Sequence, residues 1–338
     1  MNKVTKLGVS ALCGSLAAVS AANAGDLTVT GGVDMSWVSL EDQTTGNPIG
    51  MGSNLTFSGS GELDNGWGVA LSVAMANSDA YSNTNVTVTI PELGDIRIDQ
   101  GTSATGISRI DDVTPTVWEE AYAAGVGGGF NNVDGSSVGS TIEYTPNMLP
   151  DGVTARIAYT PDAGGADAAD KASTPTNTAA DSGFDITLEI TDAMTGITGL
   201  TLTAGMSETS QDAHFVNYSG DAEETTYAIT YATGGFTLGY QWSEEDLGKT
   251  NNEKQYENDG YGITFQINDD LSVGYNHYES AQTNTNGNVT AEADSIQIAY
   301  SVGGASVRLG STQVDNSAYQ TTAAYDQDGT ILSVSLAF

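Results

Sequence analysis

The sequence predicts a sixteen-stranded antiparallel β-barrel that crosses a lipid bilayer. Three observations predict it. Residues 1–24 have the build of an export signal. The remainder divides into sixteen runs in which apolar residues recur at every second position. The connections between those runs are alternately short and long.

The N-terminal segment opens with Lys3 and Lys6, continues through the apolar stretch Leu7 to Val19, and ends in Ala22-Asn23-Ala24. The stretch is too short to span a bilayer as a helix, and the small-x-small triplet is a cleavage signal. Cleavage there leaves a barrel domain of 314 residues, 25–338, beginning at Gly25. Cys13, the only cysteine, falls inside the segment. A lipoprotein signal is the rival reading, but Leu12 is bulky for the position before a lipidated cysteine. The mature chain therefore passes through an oxidising compartment without disulfides.

The strands follow in order. Leu27, Val29, Val33, Met35 and Trp37 share one parity and mark the first. Leu55 and Phe57 mark the second, Trp67 to Met75 the third, Val86 to Ile90 the fourth, and Ile96 with Ile98 the fifth. Ile142 and Tyr144 give the sixth, Val153 to Tyr159 the seventh, Phe184 to Ile190 the eighth, and Leu200 to Met206 the ninth. Tyr227 to Tyr231, Phe236 to Trp242, Tyr261 to Ile267 and Leu271 to Tyr275 are the tenth to thirteenth. Ile296 to Tyr300, Ala305 to Leu309 and Leu332 to Phe338 complete the set. Most are about 9–11 residues long, the length a tilted spanning strand needs.

Short turns such as Asp64-Asn65-Gly66, Thr233-Gly-Gly235 and Asn268-Asp-Asp270 use hairpin residues. Between them lie longer polar loops at 41–51, 77–84, 102–137, 162–182, 208–222, 246–257, 281–291 and 314–328. A transmembrane barrel needs this asymmetry, with short turns on the periplasmic side and long loops outside. Tyr and Trp at strand ends (Trp37, Trp67, Tyr144, Tyr159, Trp242, Tyr300) suit aromatic girdles.

Composition narrows the function. The mature chain keeps seven basic residues against 43 acidic ones, a formal charge of −36. That balance argues against nucleic-acid or polyanion binding and favours attraction of cations. No mature segment reaches 18 uninterrupted apolar residues, so a membrane form must be a closed barrel, which leaves no backbone unpaired in lipid.

Parity assigns the strand charges to the lumen. Ile96 and Ile98 face lipid, so Arg97 and Asp99 face inward; the same rule turns Arg156, Arg308, Glu143, Asp185 and Glu189 inward. Sixteen strands leave an aqueous channel rather than a packed interior. The longest loop, 102–137, carries Arg109, Asp111, Asp112, Glu119 and Glu120, then the glycine-rich stretch Gly125 to Gly129. A loop of that length in a compact domain is usually functional.

The cleavage site followed by Gly25-Asp-Leu-Thr-Val-Thr-Gly31, the hairpin Leu63-Asp-Asn-Gly-Trp-Gly-Val-Ala-Leu71, the segment Leu93-Gly-Asp-Ile-Arg-Ile-Asp99, the acidic third loop and terminal Phe338 together resemble the general-diffusion porins of alphaproteobacteria. The resemblance implies a homotrimer in the outer membrane of a Gram-negative bacterium, exchanging small hydrophilic solutes and cations by passive diffusion. It implies a third loop folded into the pore as the constriction, its carboxylates facing Arg97, Arg156 and Arg308 across the opening. Opposed charges in a narrow channel make a transverse field. Phe338 would be the signal read by the barrel-assembly machinery, and loop carboxylates sometimes hold calcium. The sequence departs from the family in having only a handful of basic residues where an arginine cluster is usual.

Two other readings are weighed. A secreted acidic β-rich surface or adhesion protein suits the charge and export, but the chain has no calcium-binding nonapeptide repeat, and that reading leaves the loop alternation unexplained. An enzyme is not expected: His214 and His277 stand apart, and no Gly-x-Ser-x-Gly turn or zinc spacing appears. The acid-rich stretches Asp162 to Asp181 and Glu244 to Glu257 have the oxygen ligands calcium wants, against the plainer reading of a solvated exterior.

Overall fold

The computed structural model describes residues 27–41, 46–77, 83–100, 105–136, 140–164, 180–211, 217–250, 253–285 and 287–337. The export segment and Phe338 lie outside the described residues. The strands are β1 (Thr28–Glu41), β2 (Ile49–Glu62), β3 (Gly68–Ala76), β4 (Asn83–Ile90), β5 (Gly94–Gln100), β6 (Ser140–Pro146), β7 (Val153–Thr160) and β8 (Ala180–Ile190). The second half is β9 (Leu200–Gln211), β10 (Ala222–Thr233), β11 (Phe236–Asp246), β12 (Glu253–Gln266), β13 (Leu271–Asn284), β14 (Gly287–Val302), β15 (Ala305–Asp315) and β16 (Gln327–Ala337). Each strand pairs antiparallel with its neighbours in sequence, and β1 closes the barrel against β16, with Trp37 opposite Leu332. Closure satisfies every ladder and leaves no edge for lipid to meet.

Register keeps the two faces separate. Leu238 pairs with Ile263 and Val273 with Ile298 outside, while Gly239 pairs with Gly262 and Gly274 with Gln297 inside. Gln241, Ser243, Asn258, Asn276, Ser295 and Gln297 all point inward and are buried, so the interior is polar. Outside, Tyr240 lies opposite Tyr261 above the Leu238–Ile263 pair, and Phe236 stacks on Phe265 below it, with ring centroids 4.3 Å apart. These two rows bracket an apolar band as aromatic girdles do. His277 belongs to the upper row: its ring stacks on Tyr261 and its Nδ1 lies 3.0 Å from Asp294. It is an interfacial residue remote from the lumen. His214 lies outside the described residues.

The strands are less uniform than the sequence predicts. They run from seven residues in β5 to sixteen in β14. The expected loop 281–291 is instead hairpin: the β13–β14 ladder continues through Gln282–Val289 to Asn284–Gly287. Likewise β12 already begins at Glu253, inside the expected loop 246–257. The reason is solvation. Above the apolar band both faces of a strand meet water, so the period-two hydropathy signal fades while the ladder persists.

A lysine at Ile263, between Tyr261 and Phe265 on the outer face, should cost about 2–4 kcal/mol near the bilayer midplane, whereas lysine at Ser58 on the lumen face should cost almost nothing. Urea titration of the folded fraction in lipid vesicles checks this; equal losses at the two positions would contradict the assigned faces.

Candidate functional site

The segment between β5 and β6 enters the lumen and runs along the inner wall. Its neck is built on three inward carboxylates. Glu143 on β6 accepts hydrogen bonds from the backbone N–H of Gly106 at 2.8 Å and from the Arg109 guanidinium at 2.6 and 3.1 Å. Asp185 on β8, fully buried, accepts from the N–H of Ile107 at 3.2 Å, from that of Ser136 at 3.1 Å, and from the Ser207 hydroxyl at 2.8 Å. Asp185 thus ties the outgoing and returning legs of the loop together. Glu224 on β10 accepts from the N–H of Gly135 at 2.8 Å. Gly106 and Gly135 have φ of +61° and +71°, and a Cβ on either would strike the Asp185 carboxylate. Only glycine suits both the left-handed backbone and the close approach.

Beyond the neck, a 3-10 turn at Gly106–Ile110 buries Ile107 and Ile110 with Val133 of the returning leg. Two glutamines on the wall then hold the loop backbone. Gln241 on β11 donates to the carbonyls of Ile110 and Asp111 at 2.8 and 2.9 Å and accepts from the N–H of Val113 at 2.8 Å. Gln297 on β14 accepts from the N–H groups of Trp118 and Glu119, both at 3.1 Å, and donates to the Glu119 carbonyl at 2.5 Å. The far end packs Ala121 and Val126 against Tyr278, Ala293 and Val314. The Ser317 hydroxyl donates to the Gly127 carbonyl at 2.7 Å there. On the way back, the N–H of Asn131 donates to the Tyr319 hydroxyl at 2.8 Å. The loop therefore lies across the inner faces of β8 to β16. The wall from β1 to β4 is left facing it, apart from Leu40, which packs against the far end of the loop. Many of the inward residues there (among them Thr30, Ser58, Ser72 and Thr87) are small, and the charged ones are Asp34 near the closing seam and Glu62 at the end of β2.

Three of the four arginines are each balanced by a carboxylate. Arg97 pairs with Asp99 at 2.5 Å, Arg109 with Glu143, and Arg308 with Asp34 at 3.2 Å. Asp99 and Glu143, which parity places on the lumen side, are buried under these contacts rather than open to the channel. Arg308 also lies 5.8 Å from the centre of the Trp118 ring and is the cation nearest Glu119 in effect. Arg156 has no ion-pair partner among the described residues, and Glu189 is inward and half-buried opposite Thr154.

The loop acids are a different case. Asp112 lies beside both Asp111 and Glu120 and acts on each of them. Burial first, then the charge of Asp112, pushes Asp111 up to about 8 and Glu120 up to about 7. Burial also raises Glu119, against the pull of Arg308, and raises Asp134. The charges acting on Asp111 are carboxylates, with no cation among them. The structure thus brings Asp111, Asp112 and Glu120 together, sets Glu119 beside Arg308, and turns Arg109 into an anchor.

Sequence reasoning missed the work of Asp34, Asp185, Gln241 and Gln297. Their signal was present as inward-parity polar residues, but parity does not say which of them meets a loop distant in sequence. As for calcium, residues 165–179 of the acidic stretch lie outside the described residues; among the described residues no three His, Cys, Asp or Glu side chains are grouped to hold a metal.

Comparison with known proteins agrees with this geometry. The family model described as Gram-negative porin matches residues 8–337. No curated protein sequence matches the chain. Among solved structures, OmpF of Salmonella typhi in complex with daunomycin is similar at 14% identity and a TM-score of 0.69, covering 92% of this chain and 97% of that one. An anion-selective porin from Comamonas acidovorans is similar at 13% identity and a TM-score of 0.64, over 93% and 99% of the two chains. The trimer form of OmpT, an outer membrane protein of Vibrio cholerae, is similar at 12% identity and a TM-score of 0.62, over 93% and 99%. At these identities the likeness is one of fold.

Proposed function

The chain belongs to the Gram-negative porin family, and from that premise we propose that it is a trimeric, cation-preferring diffusion channel filtered by its third loop. It is a β-barrel of the Gram-negative outer membrane, and its channel serves passive diffusion. The finer reading rests on one observation: of the lumen arginines, Arg97, Arg109 and Arg308 are matched by Asp99, Glu143 and Asp34, leaving Arg156 as the one without an ion pair among the described residues, whereas three loop acids, Asp111, Asp112 and Glu120, stand together without a cation acting on Asp111 or Glu120. The residual field is therefore negative, and a negative, narrow, weakly screened passage favours cations. Fold does not fix this sign, since the Comamonas porin of the same fold is described as anion-selective.

The outer surface supports the trimer. Strands β2 to β5 carry no Tyr or Trp, and β3 to β5 are short, at seven to nine residues. Their outward residues are chiefly aliphatic, including Leu71, Val86, Val88, Ile96 and Ile98. A wall whose aromatics are limited to Phe57 and, at the turn end, Trp67 suits contact with another subunit better than contact with lipid headgroups. The V. cholerae trimer form adds support by likeness of fold. Phe338 as assembly signal and cleavage after Ala24 belong to the same reading.

Liposome swelling with neutral sugars of increasing size tests the channel, and native mass spectrometry of the refolded chain tests the assembly. Uptake that falls steeply with sugar size, from a trimer, is expected. Folded protein that admits no sugar would overturn the filter, and a stable monomer would overturn the assembly.

A further inference from the structure

The loop does not merely touch the wall; it is let into it. Gly239 on β11 and Gly262 on β12 are direct partners across the ladder, both inward. A Cβ at Gly239 would stand 2.3 Å from Cδ of Pro115, and one at Gly262 would stand 2.2 Å from the Pro115 carbonyl oxygen. Two residues along the loop, Val117 fills the space a Cβ on Gly274 of β13 would take, at 2.6 Å. The Gln241 clasp lies just before this notch and the Gln297 clasp just after it. Thr114 also hydrogen-bonds the Tyr278 hydroxyl on β13. At Gly183, Gly205 and Gly329 the loop fills the place of a Cβ with side chains (Ser136, Ile110 and Val126); at Gly262 its backbone itself reaches the floor of the sheet.

We propose that the glycine notch of Gly239 and Gly262, by seating Pro115, sets the cross-section of the pore and is its size-determining element. Each Cβ that the notch lacks is space the loop occupies instead of the channel. A methyl group at either floor position has no room, since real Cβ contacts are not found below 3.0 Å. The wall is a closed ladder and the loop is held by side chains, so the loop yields and moves into the lumen. The acids Asp111 and Glu120, on either side of Pro115 in the loop, move with it. Pore size is thus written on the wall strands, apart from the charged residues that set selectivity. This inference rests on the channel reading and is separable from it, because wild-type current is measured first.

The test compares folded Gly239→Ala, Pro115→Ala and the double variant by single-channel conductance and by the sugar-size cutoff. Gly59→Ala on the outer face, where a Cβ meets nothing within 4 Å, controls for the cost of alanine in a strand. Gly239→Ala is expected to lower single-channel conductance roughly 1.5- to 2-fold and to shift the cutoff to smaller sugars. Because the clash is with the proline ring, Pro115→Ala in the same chain restores most of the conductance. A glycine needed only for folding would reduce the number of channels but leave each one at its normal size. Should Gly239→Ala not refold, Gly274→Ala against Val117→Ala poses the same question at the neighbouring seat. Unchanged conductance in folded single variants, or no recovery in the double, overturns the proposal. Silent wild-type protein overturns the channel reading instead.

Discussion

Replacing Asp111, Asp112 and Glu120 together by their amides is expected to abolish most of the channel's cation preference. A unit charge about 6 Å from a passing ion, at an effective dielectric constant of about 40, is worth about 1.4 kcal/mol, or about tenfold in local ion occupancy. The three groups lie together and the charge of Asp112 acts on the other two, so they count as one site rather than three independent ones. The same reasoning gives the wild type a pH dependence. Burial raises Asp111 to about 8 and Glu120 to about 7. A raised carboxylate is neutral below its pKa and charged above it. Cation preference should therefore be weak at pH 6, climb between about pH 6 and 9 as Glu120 and then Asp111 ionise, and level off above that. The triple amide variant should show no such climb. Zero-current potentials across a salt gradient, taken at stepped pH, read both effects. A wild-type preference that is flat from pH 6 to 9 and survives the triple substitution would place the selectivity elsewhere.

The second large effect concerns the neck. Asp185→Ala removes the acceptor of three hydrogen bonds from a fully buried site. Hydrogen bonds to a charged group contribute about 1.5–3 kcal/mol each, and the stranded N–H groups of Ile107 and Ser136 add their own desolvation cost. The barrel ladders do not depend on Asp185, so the loss falls on the loop. The expected variant is a folded trimer with noisy, enlarged single-channel currents. It also becomes cleavable by trypsin after Arg109, which in the wild type is held against Glu143. Asp185→Asn, which keeps an acceptor, should fall between the two. A quiet, trypsin-resistant Asp185→Ala trimer would show that Glu143, Glu224 and the two glutamines hold the loop without it.

The fold was largely legible in the sequence because membrane strands enforce alternation. Ile96 and Ile98 reveal that Arg97 faces inward, and the C-terminal run from Leu332 shows how the barrel closes on β1. Where the bilayer stops enforcing alternation, legibility stops too, and the upper parts of β13 and β14 read as loop for that reason. The site was legible in part. The length and charge of the third loop marked it out, and its acids were named. Their mutual arrangement was not readable, because Asp111, Asp112 and Glu120 meet only when the loop bends on a wall built from strands as far along the chain as β16, whose Ile331 packs on Gly125. The balancing of Arg308 by Asp34 was equally hidden. The two are 274 residues apart in sequence and neighbours only across the closing seam of the barrel.

The measurement that bears most directly on the account is the current through single wild-type trimers in a planar bilayer under an approximately tenfold salt gradient at pH 8. The account predicts ohmic steps that open in threes, with a zero-current potential of the sign that cation preference produces. A potential of the opposite sign would contradict the assignment of the field to the loop acids, and a correctly folded trimer that carries no current would contradict the channel itself.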